Sequence, residues 1–191
     1  MAPDPDAALM LAFQQGDEGA FRALYQRNAG AVIAFCHHFV RDAARAEELA
    51  QDVLVKVYRS RERYRPTARF RTFLFRIAAN HCLNELRRGE AGRAPEGPAD
   101  PDLLPGREAT PEEAARGAAL ERAVRALLDR LPEKQRLALV LCRFQGLSYE
   151  EIAGVLDTTV PAVKSLVHRA TVAASEALAP FTASAPEEVL P

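Results

Sequence analysis

Residues 148–170 read SYEEIAGVLDTTVPAVKSLVHRA, and this stretch decides the fold. Ile152, Ala153 and Leu156 recur at helical spacing, so the first eight or so residues predict a short amphipathic helix. Asp157 stands where the chain must bend, and Asp tolerates left-handed backbone better than most residues other than Gly. Thr159 can cap a second helix, with Pro161 in its first turn, where a missing N–H costs nothing. That second helix is two-sided. Val163, Val167 and Ala170 share one face, while Pro161, Lys164, Ser165 and His168 share another. The apolar side can pack while the other offers a cation, a hydroxyl and an imidazole to a DNA groove. Any amphipathic helical hairpin carries a similar pattern, so the remainder of the chain has to decide between DNA reading and packing.

Outward from this motif, the 191 residues divide into three zones and a tail. Residues 7–88 are helix-rich, and Gly and Pro become scarce after residue 30. Residues 89–111, GEAGRAPEGPADPDLLPGREATP, carry five prolines and four glycines. Pro removes backbone donors and Gly raises the entropic cost of order, so this segment predicts an acidic linker. Residues 112–178 are helical again, and 179–191 predict a fraying tail. No strand pattern and no internal repeat occurs. The expectation is an all-α protein of two small helical domains on a flexible tether.

In the first domain, ARAEELAQDVLVKVYRS predicts a helix with Leu49, Val53 and Val57 inward and Glu48, Asp52 and Lys56 along another face, an acid-to-Lys order that favours i,i+4 pairing. The next helix, ARFRTFLFRIAANHCLNELRR, has an inward stripe of Phe75, Ala79, Cys82 and Leu86. Its other face aligns Phe73, Arg76, Asn80, Asn84 and Arg87, groups suited to stacking, phosphate contact and base-edge hydrogen bonding. Upstream, RERYRPTARFRT interleaves Tyr64 and Phe70 with arginines, a candidate single-strand cradle.

The chain's nominal charge of −1 argues against a nucleic-acid partner, yet it averages two opposed segments. Between Lys56 and Arg76 eight basic residues face one acid, Glu62, whereas between Ala91 and Ala119 three arginines face six acids. The first is the usual electrostatic footprint for phosphate. The opening residues MAPDPDAALM lack the basic and apolar runs of a signal peptide, and no 18-residue apolar stretch occurs, so no membrane insertion is expected. Three widely spaced cysteines, Cys36, Cys82 and Cys142, point to free thiols in a reducing, cytoplasmic setting. Cys36, His37, His38, His81 and Cys82 invite a metal reading. Cys36, His37 and His38 are contiguous on a helix and cannot all point one way, so packed thiols are expected, with no metal and no cofactor. No phosphate-cradling Gly loop or nucleophile motif appears, and no catalysis is expected.

Taken together, the segments resemble a bacterial RNA polymerase sigma factor of the sigma-70 family, extracytoplasmic-function (ECF) type. AEELAQDVLVKVYRS and ARFRTFLFRIAANHCLNELRR are similar to sigma region 2. LDRLPEKQRLALVLCRFQGLSYEEIAGVLDTTVPAVKSLVHRA is similar to region 4, and nothing fills the place of region 3. The resemblance implies promoter-specific transcription initiation, responsive to stress or signal. It implies that Glu48, Gln51 and Asp52 dock on the beta-prime clamp helices of core polymerase, with region 4 on the beta flap. It implies that Arg63, Tyr64, Arg69, Phe70, Arg71, Thr72, Phe73, Arg76, Asn80 and Asn84 open and read the minus-10 element. The minus-35 element would be read by Thr159, Pro161, Lys164, Ser165, His168 and Arg169. The acidic linker would thread the polymerase's positive nucleic-acid path, and an anti-sigma factor would be a partner.

This chain departs from the family pattern at four places. Phe73 stands where Trp is usual, keeping the ring but losing the indole donor. Asp157 replaces the turn Gly. Leu166 and Thr171 replace arginines of the recognition helix, which lowers the phosphate contribution to minus-35 binding. Two other readings stay open on the sequence: a dimeric helix-turn-helix regulator of duplex DNA, and a sigma-like interaction protein without promoter activity.

Overall fold

The computed structural model describes residues 4–40, 42–91 and 110–182. Most of the expected linker and residues 183–191 of the expected tail lie outside them. The N-terminal domain contains α1 (Pro5–Gln14), α2 (Glu18–His37), α3 (Ala43–Arg59), a 3-10 turn (Arg61–Arg63) and α4 (Phe70–Ala91). The C-terminal domain contains α5 (Pro111–Arg130), α6 (Glu133–Arg143), α7 (Tyr149–Leu156) and α8 (Val160–Thr182). Among the described residues there is no strand, in keeping with the all-α expectation.

Local chemistry starts most of these helices. Asp17 caps α2 by accepting from the Ala20 N–H at 3.2 Å, and Asp42 caps α3 through the Arg45 N–H at 2.7 Å. Asp4 does more. Its Oδ1 accepts from the Asp6 and Ala7 N–H groups at the start of α1, while Oδ2 accepts from the Phe70 N–H at 2.6 Å. One carboxylate therefore satisfies orphan donors of two helices 66 residues apart. At the far end of α1, Gln14 Nε2 donates to the Arg61 carbonyl at 2.8 Å. The basic segment between α3 and α4 is thus fastened at both ends by α1.

The predicted stripes are the core. Leu49, Val53 and Val57 of α3 and Phe75, Ala79 and Cys82 of α4 are buried, with Leu86 packed at the margin. In the C-terminal domain Val163, Val167 and Ala170 of α8 are buried against α6, whose Leu137 to Leu141 are all buried. Ser148 and Glu151 form a reciprocal capping box on α7, the Ser148 N–H donating to Glu151 at 2.8 Å. Asp157 ends α7 at φ 49°, in the left-handed region expected of it. Thr159 Oγ1 accepts from the Ala162 N–H at 3.4 Å, as its capping position requires.

Three expectations are corrected. Helix α4 runs through Gly89 to Ala91 rather than stopping at Arg88. Helix α8 runs to Thr182 with Pro180 inside it, so fraying does not begin at 179. Arg116 of α5 donates to the Phe181 carbonyl at 3.4 Å and satisfies an acceptor of that last turn. Finally, the two domains are not merely tethered: α7 lies along α4, and α6 reaches the end of α2.

Candidate nucleic-acid and polymerase interfaces

On α4, Arg76, Asn80, Asn84 and Arg87 project from the surface opposite the buried stripe, as their spacing predicts. Phe73 is half-buried at the head of that face. Its ring packs edge-on to Tyr64 at 5.0 Å and tilts against Phe70 at 6.0 Å. Those two partners do not fit the cradle expected from sequence. Tyr64 is 2% exposed and Phe70 1%, so neither offers a ring face to a base. They form the floor that holds Phe73 at the surface. Burial also pushes the Tyr64 hydroxyl pKa up, and that hydroxyl has no hydrogen-bond partner. Thr72 is likewise buried, its hydroxyl unpartnered, beneath α7.

The arginines are distributed unevenly. Arg63 is exposed, and Arg65 folds back on its own loop, donating to the Tyr64 carbonyl at 2.9 Å. Arg69, Arg71 and Arg76 instead face the C-terminal domain. Arg69 lies 3.8 Å from a Glu151 oxygen, Arg71 donates to the Gln145 carbonyl at 2.8 Å, and Arg76 lies 3.7 Å from Asp157. Arg71 also stacks its guanidinium over Phe75, 5.6 Å from the ring centre.

The expected recognition face of α8 is in place. Thr159, Pro161, Lys164, Ser165, His168 and Arg169 are all exposed. Arg169 bends back to donate to Ser165 Oγ at 3.0 Å, so these two side chains act as one unit. Leu166 is half-buried and packs on the core, a place where an arginine would have to snorkel outward.

Helix α3 presents Glu48, Gln51 and Asp52 to solvent. Glu48 pairs with Arg45 at 2.7 Å, and Arg45 also binds Glu85 of α4. Asp52 does not pair along its helix with Lys56; both meet His81 instead. An ammonium has no lone pair, so Lys56 Nζ donates to His81 Nδ1 at 2.5 Å, which leaves the imidazole proton on Nε2, 3.3 Å from Asp52. Burial and the Lys56 charge hold the His81 pKa below its ordinary value, against the opposing pull of Asp52. Val55, exposed at 44%, extends this face by one turn. Its i+3 and i+4 relation to Asp52 and Gln51 was available in the sequence, and a β-branched side chain on a solvent face was the signal.

Cys36 and Cys82 meet inside the core with Sγ atoms 3.8 Å apart, the packed-thiol arrangement. Contact with Cys36 and burial push the Cys82 thiol far up, so it stays protonated and unreactive. The His38 ring tilts against Phe144 at 4.1 Å, and its pKa is lowered to about 4, mainly by burial, then by His37 and Arg136. Among the described residues no group of three metal-ligating side chains is gathered, and no helix is long and apolar enough to cross a membrane.

Residues 24–91 match the family Sigma-70 region 2, and residues 121–172 match Sigma-70, region 4. The RNA polymerase sigma-H factor of Pseudomonas aeruginosa is 34% identical over 95% of this chain and 97% of its own length. The ECF RNA polymerase sigma-E factor of Escherichia coli is 30% identical over 92% of this chain and 95% of its own. Among solved structures, CnrH in complex with the cytosolic domain of CnrY superposes with a TM-score of 0.69 at 25% identity, covering 95% of this chain and all of that one. RpoE of Bartonella quintana, bound to the anti-sigma factor NepR, shares the fold with a TM-score of 0.65 over 83% of this chain and 96% of its own. Both regions in one chain, in order, set aside the conventional dimeric regulator. The two exposed helical faces, the two matched regions and the near full-length relatives agree: this chain belongs to the ECF group of the sigma-70 family, the RNA polymerase sigma factors that direct promoter-specific transcription initiation.

Proposed function

We propose that the chain divides promoter reading between two domains, with the N-terminal domain (α1 to α4) opening and reading minus-10 and the C-terminal domain (α5 to α8) reading minus-35. The observation that carries this is the pair of helices, α4 and α8, each with one stripe buried and a polar face outward. On α4, Phe73 stacks on an unpaired base while Asn80 and Asn84 bond its edges and Arg76 meets the backbone. Flipping a base costs a few kcal/mol, which stacking and phosphate contacts offset without ATP. On α8, Lys164 and Arg169 meet phosphate while His168 and Ser165 face the groove floor. Helix α3 docks on the clamp helices through Glu48, Gln51 and Asp52, with Val55 supplying apolar contact and His81 orienting Asp52. The chain acts in the cytoplasm on core polymerase and carries out no chemistry of its own. An anti-sigma partner is expected, since the similar CnrH and Bartonella RpoE structures each hold a bound partner.

Run-off transcription with purified core polymerase tests the central assignment. Replacing Asn80 and Asn84 together by Ala should lower promoter opening by about tenfold or more, at ~1–3 kcal/mol per lost base contact. Core binding should stay unchanged. Normal transcription by the double variant would refute the minus-10 role of α4.

A further inference from the structure

We propose that His81 is a proton-sensing positioning residue for polymerase docking: with Lys56 it holds the Asp52 carboxylate ready for a cationic partner, and in acid it claims that carboxylate for itself. The inference rests on the docking role of α3 proposed above. Three side chains stand in line along the groove between α3 and α4. Lys56 Nζ donates to His81 Nδ1 at 2.5 Å, and His81 Nε2 faces Asp52 Oδ2 at 3.3 Å. A lysine ammonium can only donate, so it fixes the tautomer of the neutral ring and turns the remaining N–H toward Asp52. The His81 side chain is 8% exposed and that of Asp52 67%. The ring is therefore a fixed post inside the groove, and the carboxylate it steers is the part that a partner can reach.

Protonation reverses the arrangement. A proton taken up at Nδ1 sets one donor against another, so the Lys56 contact is lost and Lys56, already exposed, turns to solvent. The imidazolium left behind is buried, and a buried charge has to be paired. Asp52 is drawn into an ion pair with it, and the negative charge offered to the polymerase is cancelled. Glu85, one turn along α4, also pulls on the ring, but Arg45 and Arg88 already hold it. The other helices packed on α4 meet it at different residues: α1 at Phe70, α2 at Phe75 and Cys82, and α7 at Thr72. Burial and the Lys56 charge hold the His81 pKa below 6.5, so the neutral ring prevails at neutral pH and the change falls in acid. Glu48 supplies the contrast. Its partner, Arg45, stays charged throughout, so one docking acid is constant and the other conditional.

Equilibrium binding of the full chain to core polymerase, compared between about pH 7.5 and about pH 5.5 at fixed ionic strength, tests this. Wild-type affinity should fall about two- to fivefold more than that of His81→Gln, the worth of one half-exposed charge pair. Gln accepts from Lys56 through its carbonyl oxygen and donates to Asp52 through its amide, so it stands in for the neutral ring and should rescue binding at neutral pH. His81→Leu fills the space but steers nothing, and should bind more weakly than His81→Gln there. Taking each variant against wild type cancels the polymerase's own response to pH. On the free chain, the imidazole nitrogen resonances of His81 should titrate below the ordinary value, and Lys56→Met should move that titration upward. A titration unmoved by Lys56→Met would overturn the relay without any polymerase present. Parallel acid losses for wild type and His81→Gln would overturn the switch while leaving the docking role intact, provided Asp52→Asn binds core weakly at neutral pH. Wild-type binding by Asp52→Asn would remove the docking role of that residue and the switch with it.

Discussion

Replacing Asp4 by Ala tests the idea that one N-terminal carboxylate frames the promoter-opening surface. The substitution removes an N-cap from α1, about 1 kcal/mol. It also removes the 2.6 Å hydrogen bond from the Phe70 N–H, a charge-assisted contact in a partly buried setting, for which about 1.5–3 kcal/mol is typical. The N-terminal domain should therefore lose roughly 3 kcal/mol, and its Tm should fall by about 10–20 °C at the sensitivity expected of a domain of this size. Asp4→Asn keeps a capping oxygen and should lose only about 1 kcal/mol. Because Phe70 starts α4, Asp4→Ala also loosens the first turn of α4, where Arg71 and Thr72 stand. Thermal and urea unfolding followed by far-ultraviolet circular dichroism measures the first effect, and run-off transcription the second. Promoter opening should fall more than duplex binding. A loss below about 0.5 kcal/mol, or identical losses for Ala and Asn, would refute the double-cap reasoning.

Other outcomes follow from the same geometry. Ser148→Ala opens the capping box on α7 and should lower C-terminal domain stability by about 1 kcal/mol, read as a shifted urea midpoint with an unchanged slope. Lys164→Ala should weaken minus-35 duplex binding and reduce the salt slope by about 1, and an unaltered salt titration would contradict its phosphate role. Native protein treated with a thiol reagent should label Cys142 quickly and Cys36 and Cys82 only on unfolding; fast labelling of all three would contradict the packed core. His38, facing His37, Arg136 and Arg125, and His81, facing Lys56, Asp52 and Glu85, both have folded pKa values lowered from the ordinary 6.5. The unfolded chain therefore binds more protons below that pH, so stability present above 6.5 is lost as pH falls toward 4. His38 alone accounts for roughly 3 kcal/mol of that loss, measurable by urea titration at successive pH values.

Much of the architecture was legible because helix periodicity is a local property. Val163, Val167 and Ala170 recur with the turn of α8, and Leu49, Val53 and Val57 with that of α3, so burial followed from spacing alone. The bend at Asp157 was legible for the same reason: it depends on the backbone tolerance of one residue. The aromatic cradle was not. Tyr64, Phe70 and Phe73 sit among arginines in similar sequence surroundings, and only their packing shows that the first two are floor and the third is surface. The Lys56 pairing was misread because His81, 25 residues away, lies closer to Lys56 than any geometry within α3 would indicate.

The sequence by itself determined the helices, the stripes they bury and the polar faces they present, since each depends on residues within a few turns of one another. It also carried the family, through two blocks in fixed order. Only the tertiary structure decided which charges are already spoken for. Asp4 reaches Phe70, Arg136 reaches the His38 carbonyl, and Arg71 reaches the Gln145 carbonyl across separations of 66, 98 and 74 residues. Contacts of that kind depend on how whole helices cross, and no local pattern encodes the crossing.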